Sequence, residues 1–132
     1  MSIFNESSLL SKINRNDTDS LDCHIIRNIE LAERFSKLSN GAYDITIKPL
    51  TEAWGFAAEK SDGSTPNIDS LLDFVGYNKI LVCDGRLCKA DTRVEIDLNS
   101  IAKGYTVDLV AEELEKRGIT DYMVNIGGEI RC

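Results

Sequence analysis

Val94-Glu95-Ile96-Asp97-Leu98 runs directly into Asn99-Ser100-Ile101-Ala102-Lys103-Gly104-Tyr105, and the fold turns on how this stretch is read. Val94–Asp97 has the composition of a short strand. From about Asn99 to Arg117 the period changes: Val107, Val110, Ala111 and Leu114 step by three or four and predict one apolar helix face. Gly118 supplies the stop, and Lys116 and Arg117 suit the negative C-terminal end. Tyr122–Ile126 reads as a strand again, followed by Gly127-Gly128.

Upstream the same alternation of periods continues. Ser7-Ser8 caps a short helical segment whose apolar face is Leu9, Leu10 and Ile13. A second helix is expected from about Leu21 to Leu38, with Ile25, Ile29, Ala32, Phe35 and Leu38 on one face. Asn40-Gly41 ends it. Ala42–Ile47 alternates and predicts a strand, closed by Pro49, which cannot donate to a ladder. Residues 50–64 carry Trp54-Gly55-Phe56 and then a polar, Gly- and Ser-bearing loop, and Thr65-Pro66 opens a short helix that runs to about Phe74. Lys79–Cys83 and Leu87–Ala90 form a hairpin around Asp84-Gly85-Arg86. There is no repeat and no regular βαβ rhythm. The expectation is therefore a single α+β domain over residues 1–132, with helices packed on a mixed or antiparallel sheet.

Composition excludes several classes. The 132 residues are 42% hydrophobic and 28% charged, which suits a folded core. A net charge of −7 argues against nucleic acid as a partner, because phosphate contacts need clustered cations. The opening residues carry no signal-peptide pattern, and no stretch is apolar enough to span a bilayer. Four cysteines at irregular spacing and one histidine, His24, do not make a zinc site or a disulfide framework. Cys83 and Cys88 either face each other across a hairpin with a four-residue loop or pack as small residues within strands, the latter being preferred.

The chemistry-bearing residues concentrate in two segments. Asp97 precedes the helix start, Lys103 and Gly104 lie in its first turns, and helix N-termini favour anions such as phosphate. Glycine inside a helix costs about 1 kcal/mol relative to alanine, so close approach of a ligand or backbone is expected at Gly104. A capped helix with a snorkelling lysine remains the plainer alternative. In Asn40-Gly41-Ala42-Tyr43-Asp44-Ile45-Thr46, Asp44 can accept bonds from a ligand's hydroxyl or amine groups, or the segment is simply a helix C-cap with a solvated aspartate, the latter being preferred on the residues alone. Trp54-Gly55-Phe56 offers a platform for a flat ring, although such clusters more often lie in the core. GxGxxG, P-loop, serine-elbow and HExxH patterns are absent.

Four blocks, in order, resemble the ApbE family of FAD:protein FMN transferases. They are Phe4–Asn14, Gly41–Leu50 with Trp54-Gly55-Phe56, Asp97–Asp108, and Val124–Glu129. The resemblance covers nearly the whole chain and implies a partial, T-fold-like flavin transferase domain. It implies binding of FAD, cleavage of its pyrophosphate with Mg²⁺, transfer of FMN to a threonine of an acceptor flavoprotein, and release of AMP. An FAD-binding or FAD-hydrolysing protein without transfer is the alternative. By the same resemblance Phe4, Ala42, Tyr43, Asp44, Asp97 and Lys103 contact FAD. Ser100 gives an oxygen to the metal, and Phe4 replaces a flavin-stacking tyrosine. The family's M-G-T strand and its C-terminal metal-binding acid have no counterpart in these residues, so no catalytic residue is assigned. An exported, membrane-anchored parent protein and self-association through exposed strand edges complete the expectations.

Overall fold

Ser8 caps the first helix as its sequence demands, its hydroxyl accepting from the Ser11 amide at 3.1 Å. This helix, α1, spans Leu9–Asn14 and buries Leu10 and Ile13. The computed structural model describes residues 3, 5–56 and 67–132. They divide into two units, Met1–Leu98 and Asn99–Cys132.

In the first unit, α2 (Cys23–Leu38) is capped by Asp22, which accepts from the Ile25 amide at 2.7 Å. Its inner face is Ile25, Ile29, Ala32 and Ser36. The expected stripe holds for three residues and then fails. Phe35 is 48% and Leu38 70% exposed, because Ser36 takes the inward place, its hydroxyl returned to the Ala32 carbonyl.

Ala42–Ile47 is a run of turns, which corrects the expected strand. The Asp44 side chain captures local donors, so no ladder forms. Pro49 starts a helix instead of ending a strand, at the beginning of α3 (Lys48–Ala53). Lys48 bridges Glu52 and Glu95. Burial lowers the Lys48 pKa, but hydrogen bonds and charges from the two glutamates outweigh this and leave it raised. Thr65 and Pro66, the expected helix opening, lie outside the described residues. The short helix α4 spans Ile68–Leu72, with Asn67 as its cap.

After a 3₁₀ turn at Tyr77–Lys79, β1 (Ile80–Cys83) pairs antiparallel with β2 (Arg86–Lys89). The connection is the two-residue turn Asp84-Gly85, at φ 48° and 74°, a geometry that matches strand twist. Residues 94–98 are not a strand, although Val94, Ile96 and Leu98 are all fully buried and alternate as a strand would. The ladder partner is a side chain. Asn14 accepts from the Ile96 amide and donates to the Ile96 carbonyl, both at 2.9 Å.

Arg93 donates to both oxygens of Asp91, at 2.9 and 2.7 Å, and its guanidinium lies 3.9 Å over the Phe74 ring. Side-chain and backbone hydrogen bonds from Arg93 hold the Asp91 carboxyl well below the usual carboxylate range. A depressed pKa contributes stability above the unfolded value, and that contribution disappears as pH falls toward the folded one. Asp91→Asn is therefore expected to lower stability near neutrality. Its deficit shrinks once pH drops below about 4, as followed by urea melts across pH.

In the second unit, α5 (Asn99–Lys116) packs on the antiparallel pair β3 (Val124–Ile126) and β4 (Glu129–Arg131). Val107, Ala111 and Val124 form its core, with Leu114, Tyr122 and Ile126 packed around them. Val110, expected in the stripe, is 40% exposed. Arg131 on β4 ties back to Asp108 and Glu115 of α5 at 3.0 and 2.9 Å. Among the described residues no helix is long and apolar enough to cross a membrane.

Candidate functional site

The loop after α2 is shaped by backbone demands. Asn40 and Gly41 both take positive φ, and the Gly41 amide returns to the Ser36 carbonyl at 2.8 Å. This turns the chain so that Ala42 is exposed and the Tyr43 amide meets the Ser39 hydroxyl at 3.0 Å. The Tyr43 ring stands edge-on to Phe35, with centroids 6.1 Å apart.

Asp44 is the centre of this loop. Its Oδ1 accepts from the Thr46 amide and the Thr46 hydroxyl, both at 2.7 Å. Its Oδ2 accepts from the Tyr77 amide at 2.7 Å. The fully buried Thr46 oxygen in turn accepts from the Gly76 amide, also at 2.7 Å. Every partner of this carboxylate is a donor. Gly76 sits at φ 149°, and a Cβ there would lie 2.8 Å from Asn78 Oδ1. The sequence reading named Asp44 but missed Thr46, Gly76 and Tyr77. The Asp-x-Thr spacing of a side chain-to-backbone turn was the available signal for Thr46.

Asp97 reaches the same loop through its backbone, its amide donating to the Ile45 carbonyl at 2.7 Å. Ala42, Tyr43, Asp44 and the Asp97 backbone are thus brought together within the first unit. Ser100 and Lys103 lie in the first turns of α5, in the second unit. Lys103 is half-exposed, 4.0 Å from Glu129, and its stem lies 3.6 Å from where a Gly127 Cβ would stand. Gly104 has no neighbour within 4 Å of a Cβ position among the described residues, so packing there does not account for the glycine. Phe4 lies outside the described residues.

Trp54 and Phe56 are 59% and 80% exposed, which overturns the core reading of that cluster. A cavity of about 120 Å³ lined by Ile29, Ser36, Ile45, Tyr77, Ile80 and Val82 lies beneath the Asp44 loop. It is too small for a dinucleotide, since ligand pockets run from about 300 Å³ upward. Among the described residues no three His, Cys, Asp or Glu side chains cluster as a metal site.

The sequence model of the ApbE family matches residues 1–132. The FAD:protein FMN transferase of Haemophilus influenzae is 39% identical over 143 aligned positions, covering 100% of this chain and 41% of the relative. That of Vibrio cholerae is 34% identical, covering 99% of this chain and again 41% of the relative. Among solved structures, the flavin transferase ApbE from Vibrio cholerae superposes with a TM-score of 0.87 at 33% identity, covering 99% of this chain and 44% of that one. The chain thus spans less than half the length of these relatives.

Proposed function

The chain belongs to the ApbE family, and from that membership we propose that it forms the flavin-binding part of an FAD:protein FMN transferase. The observation that carries this reading is the 39% identity to the Haemophilus influenzae transferase along the whole chain. In the proposed reaction, a threonine hydroxyl of an acceptor flavoprotein attacks the FMN phosphorus of FAD. The P–O–P bond breaks, AMP leaves with the bridging oxygen, and the hydroxyl proton passes to a base.

Within that reading, Ala42 and Tyr43 present the exposed lip of the flavin site. Asp44 acts mainly by holding that lip in shape, because both its oxygens are already engaged. A second lone pair on Oδ2 remains for a ligand donor. Asp97 contributes at the same loop, and Phe4 stacks on the ring. Lys103 supplies positive charge to a phosphate, aided by the α5 start. Glycine at 104 leaves room for the ligand.

The described residues do not by themselves fit magnesium. A hard cation takes about six oxygens, and Ser100 offers one with no acidic cluster beside it. With Mg²⁺ bound, Ser100 would be one oxygen ligand among several.

The test is titration of FAD into the chain, with and without Mg²⁺, followed by flavin fluorescence and AMP release. Lys103→Ala is expected to weaken FAD binding about tenfold, equivalent to about 1.4 kcal/mol. Gly104→Ala should stabilise the chain by about 1 kcal/mol while weakening FAD. Unaltered affinity in both variants would overturn the α5 site. No FAD binding by the parent chain would overturn the flavin-binding assignment.

A further inference from the structure

The β1–β2 hairpin carries a feature that flavin chemistry does not use. Its register pairs Cys83 with Arg86 and Leu81 with Cys88. Residues two apart on a strand share a face, so Cys83, Leu81, Arg86 and Cys88 all stand on one side of the hairpin. That side is the outer one: Leu81, Arg86 and Cys88 are exposed, whereas Leu87 on the opposite side is buried. Cys83 and Cys88 are therefore diagonal neighbours on the solvent face, and both are free thiols. The four-residue loop that would have set them directly opposite does not form. The two-residue turn replaces it and sets the two cysteines diagonally on one face.

We propose that Cys83 and Cys88 are a dithiol oxidation site, which closes to an intramolecular disulfide by exchange with a low-molecular-weight disulfide. The register sets Cys83 and Cys88 diagonally across the two strands on one face, and hydrogen bonding to Cys88 is the largest of the influences that raise the Cys83 thiol above its ordinary range. Access divides the roles. Cys88 is exposed and meets the external oxidant first, while Cys83 is half-buried and waits beside it.

The Cys88 thiolate attacks one sulfur of the external disulfide, whose S–S bond breaks and releases one thiolate. Cys83 then loses its proton and attacks Cys88 Sγ. The mixed disulfide breaks and the second external thiolate leaves. Two protein thiols are oxidised, and one external disulfide is reduced to two thiols that take up the two protons.

Diagonal partners lie about 7–8 Å apart, beyond the usual disulfide span of about 4.4–6.8 Å, so closure requires the hairpin backbone to shift and leaves a strained bond that reduces readily. The clip acts on the hairpin that begins three residues after Tyr77, whose amide Asp44 holds. The proposal does not depend on flavin binding.

The test uses the full chain with Cys23→Ser and Cys132→Ser, treated with oxidised glutathione and followed by thiol titration, intact mass and peptide mapping. Both thiols should disappear, with the mass lower by two hydrogens, no retained glutathione and a Cys83–Cys88 cross-link. Adding Cys83→Ser should leave one glutathione trapped on Cys88. Persistence of both thiols, stable adducts without the cross-link, or disulfides between chains would overturn the proposal.

Discussion

Asp44→Ala is expected to cost about 3–5 kcal/mol, because hydrogen bonds to an ionised acceptor contribute about 1.5–3 kcal/mol each and unpaired buried donors add a penalty. The substitution strands three donors at once: the Thr46 amide, the Thr46 hydroxyl and the Tyr77 amide. Thr46 is fully buried, so water does not replace the lost acceptor without the loop opening. Domains of this size have margins of about 5–15 kcal/mol and urea m-values of about 1–3 kcal/mol/M, so the midpoint should fall by roughly 2 M.

Asp44→Asn should recover only part of the loss. Its amide nitrogen points a donor at a donor, whichever way it is turned. Thr46→Ser keeps the relay from the Gly76 amide through the hydroxyl to Asp44, whereas Thr46→Val breaks it. The order of stability should be parent, Thr46→Ser, Asp44→Asn, Asp44→Ala. A loss below about 1 kcal/mol in Asp44→Ala would mean that the loop is solvated and the carboxylate is free to serve a ligand alone.

This network marks where the sequence could be read and where it could not. Helices α2 and α5 were visible because 16 and 18 residues carry enough periods to define a face. The β1–β2 hairpin was visible because Asp84-Gly85 tolerates positive φ at both turn positions. Ala42–Ile47 misled because its β-rich composition says nothing of a side chain that satisfies its neighbours' backbone. The outward turn of Phe35 was hidden too, since the inward place went to the polar Ser36. Strand β4 is three residues long and carries Glu129 and Arg131, too short to announce a period.

The candidate site divides in the same way. Residue types in Asp97–Gly104 pointed to an anion such as phosphate and Asp44 to a candidate ligand acceptor, while flavin came only from the resemblance to the ApbE family. Their commitments inside the fold did not follow from type. Asp44 spends its oxygens on the loop, and Asp97 joins the loop through its amide. The Lys48–Glu52–Glu95 group joins residues 47 positions apart and left no local pattern to find.

Asn14 shows how a strand-like segment is held without a strand, and its removal is the other large effect. Its carboxamide donates to the carbonyl and accepts from the amide of Ile96, and both residues are buried. This is the pairing a neighbouring strand would give, supplied by one side chain 82 positions away. Asn14→Leu keeps the volume and is apolar, yet it should cost about 3–4 kcal/mol, because the Ile96 amide and carbonyl each lose their partner in a dry site. The test is equilibrium urea unfolding.

Asn14→Asp separates pairing from packing. An ionised aspartate accepts from the Ile96 amide but sets a negative oxygen against its carbonyl. A protonated aspartic acid restores both bonds, so the folded state raises the pKa of the introduced carboxyl. That stabilisation is complete below the unfolded pKa of about 4 and is lost as pH rises through the higher folded value. Asn14→Asp should therefore approach the parent in acid and fall toward Asn14→Leu near neutrality. A pH-independent deficit would place the role of Asn14 in filling space, and the Val94–Leu98 segment would then be held by its three buried apolar side chains.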